Sequence, residues 1–184
     1  KLYDPSVRVS DLVSPSNYVK NGGYDNRFQN RDPRMHFSIV TPYTIDSYDK
    51  TTKAPGVFYP TDKKAANLTS FRVRKYVEYT NYNVPGISGV NPIVIRYADI
   101  LLMEAEALVE KGGYDEAYVF SLINQVRQRA SVMMPKVETV EGAGLSTQAL
   151  RDVIRHERRV EFAFEGLRLY DIMRWEIGAE SYKD

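Results

Sequence analysis

No cysteine occurs in the 184 residues, which excludes disulfides, thiolate catalysis and Cys-based zinc sites. Histidine appears only twice, so an imidazole metal site has little to draw on. Neither sign of charge prevails. Lys plus Arg number 25 against 24 Asp plus Glu, whereas a nucleic acid or an acidic membrane surface would select a basic excess. No apolar run approaches the ~18 residues of a membrane-crossing helix. The chain opens at Lys1 with neither a methionine nor a signal sequence, so we expect a processed or truncated chain whose targeting information lies upstream.

What remains, 43% apolar and 27% charged residues, is the composition of an ordinary globular protein, one domain or a piece of a larger one. The unusual component is tyrosine: fourteen copies beside a single tryptophan. Nine of the fourteen precede residue 91, as do seven of the nine prolines. A planar ring with a hydroxyl handle suits a wet contact surface, although single rings can equally fill gaps in a loop-rich packing.

The sequence changes character near Asn91. Before it, turn signals such as Asp4-Pro5, Asn21-Gly22-Gly23, Asp32-Pro33 and Val84-Pro85-Gly86 interrupt every apolar run. Short strands are predicted at 35–40, 57–59 and 71–79. Residues 1–90 therefore form a loop-rich, Tyr-rich region that is expected to lean on something else.

From 91 to 184 the pattern is helical. Helices are predicted over 93–111, ended by Gly112-Gly113, over 115–131, opened by an Asp cap, and over 147–166, capped by Ser146 or Thr147. A short fourth segment covers 167–177. The short connection makes the first two helices an antiparallel hairpin. A 100° step per residue puts Tyr97, Leu101, Ala105 and Leu108 on one face of the first helix, with Asp99, Glu106 and Glu110 opposite. The second helix is expected to bury Val119, Leu122, Ile123, Val126 and Ala130. Ala105 and Ala117, twelve apart, fit the small-residue spacing of a tetratricopeptide hairpin, but Ser121 stands where that repeat has Phe. A single unit cannot bury a continuous core, so partner repeats are expected N-terminal to Lys1. The fold class is thus mainly α, a tetratricopeptide-like helical scaffold with a loop-rich, short-strand region.

Four stretches of these helices and loops match a known family. Residues 95–107 (IRYADILLMEAEA) are similar to the RYAE-x-LLMYAEA signature of SusD/RagB proteins, and residues 123–130 (INQVRQRA) resemble their IN-x-VR-x-RA helix. Residues 157–162 (ERRVEF), followed by 165–175 (EGLRLYDIMRW), resemble their ERR-x-E-(L/F) and EG-x-R-x-(F/Y)D ending. Residues 30–35 (NRDPRM) resemble an element that precedes this block. The departures are small: Asp99 for Glu, Glu104 for Tyr, and Glu176 where Gly is typical.

The resemblance implies a non-enzymatic glycan-binding protein of the outer membrane, held on the cell surface by a lipid anchor outside this chain. It implies oligosaccharide ligands, a SusC-like TonB-dependent transporter as partner, no cofactor and no nucleic acid. The lipoprotein signal and N-terminal repeats of the family are not in these residues.

Several features could be misread as catalytic. Glu157, Glu161 and Glu165 form a ladder, yet the wheel places Glu157 and Glu161 beside Val153, Val160 and Phe164. Like charges buried at i,i+4 need cationic partners or protonation. Arg96, Arg127, Arg168 and Arg174 are the candidates for a structural Arg–Glu network, because a guanidinium clasps a carboxylate bidentately. His156-Glu157 matches only half of an HExxH zinc motif, since position 160 is Val. Gly142-Ala143-Gly144 lacks the Lys-Ser/Thr pair of a phosphate loop and reads as a linker. Asn30 to Arg34 reads as a salt-bridged turn. The Asp/Asn-rich loops have oxygen chemistry suited to calcium, but no ligand set can be assigned.

Sugar rings stack their C–H faces on aromatic side chains, while their hydroxyls bond to amides and backbone groups. Tyr24, Tyr43, Tyr48, Tyr59 and Tyr82, with Asn81 and Asn83, are therefore the candidate glycan-binding residues. The alternative is a helical-repeat scaffold for protein–protein contact, in which those tyrosines would be interface anchors.

Overall fold

The computed structural model describes residues 31–40, 45–48, 55–57, 72–76, 91 and 93–181. The chain divides into two units, Lys1–Pro92 and Ile93–Asp184.

In the first unit, the described segments are a short helix α1 (Arg34–Ser38) and strands β1 (Ile39–Val40), β2 (Ile45–Tyr48), β3 (Pro55–Val57) and β4 (Arg72–Val73). The strands pair antiparallel as β1 with β4 and β2 with β3, the second pair broken by an irregularity between Ile45 and Ser47. The Asp-Pro turn before α1 is held by an ion pair. Asp32 accepts from the Arg34 backbone N–H at 2.9 Å and from its Nη2 at 2.6 Å, and both residues are buried.

The second unit is helical. It contains α2 (Tyr97–Lys111), α3 (Glu116–Arg127), a single turn α4 (Val137–Val140), α5 (Thr147–Glu161), α6 (Arg168–Arg174) and a terminal turn α7 (Gly178–Ser181). Gly112 and Gly113, both at positive φ, stop α2 where a side chain would be strained. Asp115 caps α3 by accepting from the Ala117 N–H at 2.9 Å, and Ser146 caps α5 by accepting from the Ala149 N–H at 3.2 Å. Helices α2 and α3 pack side by side as a hairpin, and α5 packs against α2. Leu102, Ala105, Val109, Val119, Ile123, Val126, Val137, Leu150 and Ile154 belong to the unit's buried apolar core.

Helix ends and faces differ from the sequence-based expectation in instructive places. Helix α2 starts at Tyr97 rather than Ile93, because β-branched Ile93-Val94-Ile95 resist helix and Arg96 is extended (φ −134°, ψ 158°). Helix α3 ends at Arg127. The chain turns there, with the Arg129 carbonyl accepting from the N–H groups of Val132 and Met133, and Ala130 lies exposed rather than buried. Helix α5 ends at Glu161, and Phe164, at φ 65°, is turned outward. The buried stripe of α2 is Ala98, Leu101, Leu102, Ala105 and Val109. Tyr97, placed on that stripe by the wheel, is 69% exposed, and Asp99, assigned to solvent, is buried. Ala117 is also exposed, so only Ala105 of the expected small pair lies in the core.

Candidate functional site

Most side-chain chemistry in the helical unit is gathered in three ion-pair clusters. Helix α5 carries their centre. Its buried face begins apolar, with Leu150 and Ile154, and becomes charged over Glu157, Arg158 and Glu161. Charges in such a position are tolerable only when paired and hydrogen-bonded.

Glu161 anchors the first cluster at the end of α5. One oxygen accepts from Arg96 Nη1 at 2.7 Å, and Arg129 clasps both oxygens, Nη2 to Oε2 at 3.0 Å. Arg96 also holds Glu165 bidentately, at 2.8 and 2.7 Å, and donates to the Glu161 carbonyl at 3.0 Å. The extended backbone that delays α2 is thus what directs Arg96 at two carboxylates. Burial pushes the Glu161 carboxyl up, but the hydrogen bonds and charges of Arg129 and Arg96 outweigh it and hold the group below its ordinary value.

Arg158, three residues earlier in α5, reaches two other helices. Its Nη1 donates to Asp99 of α2 at 2.7 Å, and its Nε to Asp171 of α6 at 3.1 Å. Asp171 also accepts from Arg174 Nε at 2.9 Å, and Arg174 Nη2 continues to Glu106 at 2.7 Å. Trp175 Nε1 joins the same Glu106 at 2.6 Å. Burial raises the Glu106 carboxyl, yet the Arg174 and Trp175 hydrogen bonds leave it lowered on balance. The third cluster is a longer contact, Arg127 Nη1 to Glu157 at 3.4 Å, with Arg127 Nε donating to the Pro135 carbonyl at 2.9 Å. The Phe162 ring lies under two guanidiniums, Arg96 at 4.7 Å and Arg158 at 5.1 Å.

These clusters brace the bundle. The Glu157, Glu161 and Glu165 side chains are each at most 6% exposed, and all three carboxylates accept from guanidiniums. They are not a pair of carboxyls flanking a cleft, which glycoside hydrolysis requires.

Of the residues expected in an Arg–Glu network, the structure places Glu157 with Arg127 and Glu161 with Arg96, while Arg174 joins Asp171 and Glu106 instead. Arg168 is a correction. It makes no ion pair among the described residues and lies over the Trp175 ring at 5.9 Å, because α6 turns its Asp171 face, not Arg168, toward α5. Arg129, Arg158, Asp99 and Asp171 were not anticipated. Arg158 continues the Leu150–Ile154 line at four-residue spacing, the signal that could have exposed it.

Of the candidate glycan residues, Tyr24, Tyr43, Tyr59, Asn81, Tyr82 and Asn83 lie outside the described residues. Tyr48 sits in β2 with its backbone opposite Pro55. Among the described residues no group of three or more His, Asp or Glu is placed to hold a metal ion, and no helix is long and apolar enough to cross a membrane.

The sequence profile of the SusD family matches residues 11–184. Among similar proteins of Formosa agariphila, SusD-like protein P2 is 38% identical over 114 residues, which is 60% of this chain and 22% of that protein. SusD-like protein P25 is 40% identical over 94 residues (51% and 17%), and SusD-like protein P38 is 36% identical over 106 (56% and 21%). The aligned chain therefore spans about a fifth of the length of these curated relatives. With the family profile covering both units, from the Asp32–Arg34 turn to Trp175 beyond the braced helices, the chain belongs to the SusD family.

Proposed function

We propose that this chain is part of a cell-surface protein that captures oligosaccharides for import and catalyses no reaction. It acts at the outer membrane, held there by a lipid, and delivers its ligand to a SusC-like TonB-dependent transporter. The observation that carries this reading is the SusD-family match over residues 11–184. The occupied carboxylates support a binder over a hydrolase, since Glu161 serves two arginines and has no ordinary route to proton transfer.

Ligand contact falls to the loop-rich region, through Tyr24, Tyr43, Tyr48, Tyr59 and Tyr82 with Asn81 and Asn83. Calorimetric titration with a panel of oligosaccharides tests this. At least one should bind, and single Tyr→Ala changes should weaken it about ten- to a hundredfold, by analogy with base–aromatic stacking. No binding by any glycan would refute the reading. Loss of binding in none of the five variants would move the site elsewhere.

One observation favours the protein-contact alternative. The outward face of α2 exposes Tyr97, Ile100 and Met103 at helical spacing, a row suited to another helix. A chain that bound no sugar but captured the transporter would support that alternative.

A further inference from the structure

Most guanidiniums of the helical unit meet a carboxylate. Arg96, Arg127, Arg129, Arg151, Arg158 and Arg174 all form ion pairs. The side chains of Arg155 on α5 and Arg168 at the start of α6 form neither an ion pair nor a hydrogen bond among the described residues. Both lie instead over the Trp175 ring, the guanidinium carbon 5.0 Å from its centre for Arg155 and 5.9 Å for Arg168. Two half-buried cations thus share one aromatic ring.

The carboxylates near that ring are engaged elsewhere. Asp171 is held by Arg158 and Arg174, and Glu106 by Arg174 and the indole N–H. Glu110 is clasped by Arg151 at 2.6 and 2.8 Å. Contact with an aromatic face attracts a cation but cancels none of its charge. A third arginine, Arg159, stands one turn after Arg155 on α5. Burial holds the Arg168 guanidinium below its ordinary value, and the charge of Arg159 lowers it further, against the opposing pull of Asp171. Positive charge crowded in this way raises the local concentration of anions.

We propose that Arg155 and Arg168, gathered on Trp175, form a binding site for a phosphate monoester. Such a group carries about two negative charges at neutral pH, which matches two uncommitted monocations, whereas a single carboxylate would leave one uncompensated. Its oxygens accept the paired N–H donors of a guanidinium fork. Neither fork is spent on a protein oxygen among the described residues, and both side chains are long enough to converge on one phosphoryl group.

Trp175 is the single tryptophan of the chain, so its fluorescence reports on the site directly. The test titrates the 184-residue chain and its Arg155→Gln, Arg168→Gln and Arg168→Lys variants with glycerol phosphate and with succinate. Vesicles of phosphatidylcholine, with and without phosphatidic acid, supply the same phosphoryl group on a lipid. Glycerol phosphate should change the Trp175 emission saturably, and each Gln variant should weaken its binding roughly tenfold. Arg168→Lys keeps the charge and loses the fork; it should bind between the parent and Arg168→Gln, with an unchanged melting midpoint. Binding of the free ester without the vesicles assigns the site to soluble phosphate esters. Co-sedimentation that needs phosphatidic acid and both arginines assigns it to lipid headgroups. The site is overturned if neither phosphate source changes the emission, if the variants match the parent, or if succinate binds as tightly as glycerol phosphate.

Discussion

Glu161→Ala removes the carboxylate that ties the end of α5 to the start of α2 and the end of α3. The side chain is 1% exposed and serves two arginines whose own exposure differs, 23% for Arg96 and 37% for Arg129. Stranding a partner of a buried ion pair costs ~3–5 kcal/mol. Here Arg96 keeps both its bonds to Glu165, and Arg129 is open enough to hydrate, so the loss belongs at the low end, about 3 kcal/mol. For a chain of this size that lowers the melting midpoint by roughly 6–12 °C.

Glu161→Gln preserves volume and one acceptor and should lose about half as much free energy. Arg129→Ala leaves Glu161 paired with Arg96 and should lose about 1 kcal/mol or less. Urea titration followed by far-UV circular dichroism gives the three values. A loss under about 1 kcal/mol for Glu161→Ala, or a larger loss for Arg129→Ala, would refute the idea that Glu161 is a buried brace.

The same contacts set the acid limit. Glu161 and Glu106 are held below the ordinary carboxylate value when folded, so they stabilise the fold above the unfolded value, about 4.3. That contribution is lost as pH falls through the folded values, and Glu161→Gln should flatten the acid slope; parallel slopes would count against it. Arg158→Met strands Asp99, since Asp171 keeps Arg174, and should cost ~3–5 kcal/mol. Adding Asp99→Asn should restore part of that loss, as denaturation of the double variant would show. Ser146→Ala removes the α5 cap and should cost about 1 kcal/mol by thermal melting.

Where signals are local, the sequence sufficed. The Gly112-Gly113 stop, the Asp115 and Ser146 caps and the 3.6-residue apolar rhythm put three main helices in place and made the first two a hairpin. Chain geometry within a few residues decides such features, and no distant partner is needed. The ordered motifs around Arg96, Arg127 and Glu161 also sufficed for the family.

Tertiary structure alone decided which charges face inward. An isolated helical wheel sends Asp99 to water, because nothing local reveals that Arg158, fifty-nine residues later, will meet it at 2.7 Å. It likewise keeps Tyr97 inside, although in the first turn of α2 it is Ala98 and Asp99 that are buried and Tyr97 that is exposed. The choice among Arg96, Arg127, Arg129 and Arg168 for the glutamates was another long-range matter. An ion pair forms where two backbones bring opposite charges within about 4 Å, and only the packed bundle fixes those distances.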